Sequence, residues 1–92
     1  MAYKFFLTSL VSKKLGKLDR NTSERILKKL KFFADSDNPL QYANKLVDHD
    51  PAQFYFRVGD WRIIFVLVKG EGGVVFLEII GIGNRKDIYK KL

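Results

Sequence analysis

The sequence predicts an α+β domain of order β-α-α-β-β-β: an N-terminal strand, a helical hairpin, then a three-stranded antiparallel meander. Three observations point there. Between residues 9 and 34, apolar residues recur at three- and four-residue spacing, the period of an amphipathic helix. From Phe54 onward the pattern changes to short runs of β-branched and aromatic residues. Those runs are broken at Gly59-Asp60 and across the glycine-rich stretch Lys69–Gly73, where tight turns are expected.

Tyr3–Leu7 is aromatic-rich and reads as a short first strand. Thr8 or Ser9 then caps a helix over residues 9–18 that carries Val11, Leu15 and Leu18 on one side. Asp19 and Asn21 punctuate the chain, and Asn21 with Glu24 three residues on has the spacing of a capping box. A second helix over 21–34 places Ile26, Leu27, Leu30 and Phe33 on one stripe and ends before Asp35-Ser36-Asp37-Asn38-Pro39. Each helix has a single apolar stripe, so the pair needs a sheet to cover. The strands Phe54–Val58, Trp61–Val68 and Val74–Ile82 supply it. The last is almost continuously apolar and reads as the buried central strand, followed by a basic terminal turn, Asn84–Tyr89. Residues 1–92 form a single domain without repeats or linkers.

Composition narrows the chemistry. With 47% hydrophobic residues, including eight Phe, four Tyr and one Trp, the chain can build a real core. It has no cysteine, which excludes disulfides, thiolate nucleophiles and cysteine-ligated metals. The single histidine, His49, lies between Asp48 and Asp50 and reads as a loop residue. It is the only histidine on which a Ser-His-Asp triad could be built, and a multi-histidine metal site is impossible. No cofactor or metal is expected. The longest apolar run, Ile63–Val68, is far too short to span a bilayer, and the first residues lack a signal core, so a cytoplasmic location is expected.

The formal net charge of +7 favours an anionic partner. Residues 9–34 hold eight basic side chains (Lys13, Lys14, Lys17, Arg20, Arg25, Lys28, Lys29 and Lys31) against Asp19 and Glu24. They form either a solvated outer face or an electrostatic footprint for a nucleic-acid backbone. A second cluster is sharper. In FRVGDWRIIF, Phe56–Phe65, Arg57 and Arg62 flank one turn, Arg85 follows the last strand, and Tyr89 lies four residues further on. In a meander the end of the third strand returns beside the strand carrying Arg62, which lets the arginines converge. Guanidinium groups bind phosphate oxygens bidentately, and an aromatic ring can stack a base. The alternative is a scatter of surface arginines.

ANKL (Ala43–Leu46), FRVGDWRIIF and GIGNRKDIY (Gly81–Tyr89) together resemble the RelE/ParE toxin superfamily of type II toxin–antitoxin systems. The resemblance spans nearly the whole chain and is most specific in its second half. It implies a RelE-like fold, which agrees with the element order above. On the RelE side it implies a toxin that inhibits translation: a ribosome-dependent, metal-independent endoribonuclease that cuts messenger RNA. By position, Arg62 matches the phosphate-stabilising arginine, Arg85 the second catalytic arginine, and Tyr89 the tyrosine that stacks on the substrate base. Arg57 matches a basic position of the preceding strand and is a candidate for holding RNA, as are Lys45 and Lys86. The implied partners are the ribosome, its message and a cognate antitoxin with an acidic or amphipathic segment; no membrane or small-molecule cofactor is implied. The sequence departs from the pattern where basic proton-transfer groups are expected: Gln53, Tyr55 and Asn84 stand there. Lys45, His49, Lys86 and the phenol of Tyr55 are the candidates to replace them. The alternatives within the same superfamily are a ParE-like inhibitor of DNA gyrase that cleaves nothing, and a degenerate module that only binds antitoxin.

Overall fold

The computed structural model describes residues 2–45 and 53–85. Strand β1 (Ala2–Leu7) leads into helices α1 (Ser9–Lys17) and α2 (Arg20–Asp35). A 3-10 turn (Pro39–Tyr42) and the short strand β2 (Ala43–Lys45) come next, then β3 (Gln53–Val58), β4 (Trp61–Lys69) and β5 (Val74–Asn84). The five strands form one sheet of order β1-β5-β4-β3-β2. The expected meander is present as β3-β4-β5, antiparallel throughout. Two strands widen it. β2 pairs with β3, and β1 runs parallel to the first half of β5, Ala2 opposite Val74 through Leu7 opposite Ile79. β4 therefore occupies the middle of the sheet, and β5, expected at the centre, lies one place away with a neighbour on each side.

Period-two alternation divides the sheet into two faces. Phe56, Val58, Ile63, Phe65, Leu77, Ile79 and Ile82 point to the side covered by the helices and join Val11, Leu15, Ile26, Leu30 and Phe33 in one buried core. Aromatic rings stack through its centre: Phe33 of α2 on Phe56 (centroids 4.3 Å apart), Phe56 on Phe65 (4.4 Å), and Phe65 on Phe54 (5.6 Å). Each fully buried ring contributes about 1.5–3 kcal/mol from burial, and the stacking adds to it.

The helix ends show local chemistry at work. Thr8 rather than Ser9 caps α1, its hydroxyl accepting from the Val11 amide. The capping box expected at Asn21–Glu24 does not form. α2 starts one residue earlier, with Asp19 at the cap and no side-chain bond there, and Glu24 pairs with the Arg20 guanidinium at 2.9 Å. The Ser23 hydroxyl donates to the Leu15 carbonyl at 2.6 Å and ties the two helices together. Leu27, expected on the buried stripe, is exposed, and Ala34 takes a place in the core. The buried stripe runs through 26, 30, 33 and 34, and Leu27 falls at its margin, past Ala34 on the solvent side. No helix among the described residues is long and apolar enough to cross a membrane.

Candidate functional site

The face of the sheet turned away from the helices carries two of the candidate arginines. In the β3–β4 hairpin Arg57 stands directly opposite Arg62, so both side chains leave the same face. On β5, Gly83 is opposite Arg62 and Gly81 is opposite Ile64, so neither position adds a side chain to that place. A bulge between these pairs and the next sets Ile80 as an extra residue on β5. Bulges raise the local twist and re-aim the chain beyond them. Beyond this one lies the segment carrying Arg85.

The turn Gly59-Asp60 organises the cluster. It needs glycine first, since Gly59 has φ +60°, the left-handed region. Its carbonyl accepts from Arg62 Nη1 at 3.0 Å, and the Trp61 carbonyl accepts from the same nitrogen at 3.1 Å. The Asp60 carbonyl accepts from the Arg85 amide at 2.7 Å, which pins the end of β5 to the hairpin tip. Arg62 and Arg85, 23 positions apart in sequence, are thus held by two consecutive residues of one turn.

Arg62 is the unusual member. It is 3% exposed, the one charged residue among the described residues that is buried. Its Nε has no hydrogen-bond partner, and no carboxylate pairs with it among the described residues. Two carbonyl dipoles are a partial match for a full buried charge, whose desolvation ordinarily demands a counter-ion. An oxyanion would supply what the two carbonyls lack: negative charge and acceptors for a fork of N–H groups. Arg57 beside it is exposed and extends the positive surface along the strand.

The remaining candidates distribute unevenly. Gln53 and Tyr55 share the side of Arg57 on β3 by alternation, so the Tyr55 phenol belongs to the arginine face. Asn84 is opposite Trp61 and falls on the other face. Lys45, opposite Phe54, also falls on the helix side of the sheet, away from Arg57 and Arg62. Arg85 is exposed just past β5. Tyr89, Lys86 and His49 lie outside the described residues. One basic residue not singled out by the sequence joins the cluster. Arg25 of α2 reaches the hairpin tip, its Nη2 2.9 Å from where a Cβ on Gly59 would stand. Nothing in a helical charge pattern signals such a long-range contact. Among the described residues, no three histidine, cysteine or acidic side chains come together to ligate a metal.

No protein-family model and no curated protein matches the sequence. Solved structures do. The chain superimposes on the free state of the Escherichia coli toxin RelE, a double arginine-to-alanine mutant, with a TM-score of 0.67 at 23% identity, covering 98% of this chain and 93% of that one. A chain of the toxin–antitoxin complex RelBE2 from Mycobacterium tuberculosis aligns with a TM-score of 0.67 at 20% identity over 92% and 100% of the two chains. The archaeal RelE–RelB complex from Pyrococcus horikoshii aligns with a TM-score of 0.65 at 22% identity over 92% and 97%. The fold is that of RelE.

Proposed function

We propose that this chain is the toxin of a type II toxin–antitoxin system and that it cleaves messenger RNA on the ribosome through the arginine face of its sheet. One observation carries the reading: a buried arginine without a carboxylate partner, fixed across from Arg57 and tied through one turn to the start of Arg85. The RelE fold supports it, since the solved relatives are toxins or toxin–antitoxin complexes by name. The partner is accordingly an antitoxin whose acidic or amphipathic segment covers the basic surface.

In the proposed reaction the ribose 2′-hydroxyl attacks the adjacent phosphorus. The P–O5′ bond breaks, leaving a 2′,3′-cyclic phosphate and a free 5′-hydroxyl. The proton of the 2′-hydroxyl passes to a base, and the 5′-oxygen receives one. Between these states the phosphorane carries two negative charges, which fixed guanidinium groups stabilise most where water is excluded. Arg62 and Arg85 take that role, Arg57 steadies the strand, and Tyr89 stacks on a base. The Tyr55 phenol, on the arginine face, is the proton-transfer candidate that the geometry favours over Lys45.

The test is induction of each variant without antitoxin, with growth measured and transcript 5′ ends mapped. Arg62→Ala and Arg85→Ala should abolish cuts inside translated codons while remaining soluble. Variants that cut like the parent would remove the site assignment. A parent that stops growth, cuts no message and traps gyrase on DNA would establish the ParE-like reading in its place.

A further inference from the structure

Arg25 reaches the hairpin tip from the helical layer, and Gly59 is the residue it shares with Arg62. Arg62 Nη1 donates to the Gly59 carbonyl, while Nη2, Cζ and Nη1 of Arg25 lie 2.9, 3.5 and 3.7 Å from the position of a Gly59 Cβ. The guanidinium therefore rests against the bare backbone of the glycine. A planar, weakly hydrated cation suits such a surface better than a compact, strongly hydrated ammonium does. A side chain at residue 59 would meet the guanidinium, so the glycine serves the position of Arg25 as well as the turn.

The charge so placed is not neutralised. Arg25 is exposed and makes no ion pair or hydrogen bond among the described residues. The neighbouring Arg20 is different: Glu24 holds its Nε at 2.9 Å. α2 therefore spends one arginine on an internal pair and brings another, unpaired, against the turn at the rim of the arginine face. A cation without an internal partner can take an anion without first giving up an ion pair.

We infer that Arg25 is a phosphate-binding residue: it carries the arginine face round the end of the β3–β4 hairpin and takes an RNA phosphate flanking the one at Arg62. The inference rests on the RNA-cleaving reading above, and it adds a contact that comes from the helical layer. The RNA strand crosses the hairpin tip, with one phosphate on the sheet side and another on the α2 side.

A short 2′-O-methyl oligouridylate keeps the phosphates and cannot be cleaved, so its binding to the full chain can be measured by fluorescence anisotropy across a salt series. Arg25→Ala should weaken binding at low salt about fivefold or more and lower the salt slope by about 0.7, the contribution of one phosphate on a single strand. Arg25→Lys should keep most of the slope and recover only part of the affinity. Arg20→Ala, the same charge removed from the same helix, should change affinity less than twofold. Melting temperatures should stay within a few degrees of the parent for all three, as these side chains are exposed.

Equal losses for Arg20→Ala and Arg25→Ala would reduce the effect to general charge and overturn the inference. So would an Arg25→Ala chain that binds like the parent, leaving that cation to the carboxylates of a protein partner. Arg62→Ala separates the two levels. If it weakens binding and Arg25→Ala does not, only the role of Arg25 falls. If neither matters, or the parent does not bind, the phosphate contact at Arg25 falls, and the reading of RNA cleavage on the ribosome stands or falls by the mapped transcript ends.

Discussion

The two faces of the sheet are made by the same strands and obey opposite rules. On the helix side Phe56, Ile63 and Phe65 are fully buried, and the aromatic rings stack on one another. On the other side, one residue away along the same backbone, Arg57 opposes Arg62 and two glycines stand on the adjoining strand. The first face lowers the free energy of the fold. The second raises it, by burying a charge with two carbonyls in place of a counter-ion. On the proposed function, stability and chemistry lie on opposite sides of one pleat, and single substitutions should separate them.

The largest effect should come from opening the aromatic column. Phe56→Ala removes the ring that touches both Phe33 and Phe65 and should cost about 3–5 kcal/mol. In a domain of this size that lowers the melting temperature by roughly 15 °C or more, readable by circular dichroism. All activity should vanish with the fold.

Arg62→Met should do the reverse. An apolar side chain of similar length at the buried position should leave the melting temperature unchanged or higher. Transcript cleavage should nevertheless fall several hundredfold, the effect of ~3–4 kcal/mol of lost phosphorane stabilisation. A variant that loses stability and activity together would erase the contrast between the faces.

The turn joins the two regimes, and Gly59→Ala should show a mixed phenotype. Alanine at positive φ costs about 1–2 kcal/mol, and its Cβ would displace the Arg25 guanidinium. Chemical denaturation should register the first effect, and weaker oligonucleotide binding the second. The smallest change is expected at Gly81→Ala. Its Cβ would meet Ile64 at 3.5 Å, an ordinary contact at an ordinary φ, so stability should move by less than about 0.5 kcal/mol.

The layered plan was legible because periodicity is local. A helix stripe such as Ile26, Leu30 and Phe33, or the two-residue break at Gly59-Asp60, declares itself within a few residues. The pairing of Arg57 with Arg62 came from the same break, since a tight turn fixes hairpin register. β2 was not legible: three residues offer no period to detect. The parallel partner of β1 was not legible either, because 72 positions separate Ala2 from Val74 and no turn links them. Arg25 was one basic residue in a run of eight, and its distinction lies in what it touches across the fold. Nothing in the sequence orients Lys45, a candidate for holding RNA, and strand parity puts it on the other face. The contributions of Tyr89 and Lys86 fall outside the described residues.

The parallel β1–β5 pair also sets a clock. β1 is synthesised first, yet the strand it pairs with is 72 residues behind, a delay of roughly 4–14 s at about 5–20 residues per second. β5 is also the strand that brings Arg85 to the hairpin tip. The β1–β5 pairing and the anchoring of Arg85 therefore wait on the same strand, and neither can form before β5 is made. A nascent chain carries the first arginines of the cluster past the ribosome that makes it without yet holding the assembled site.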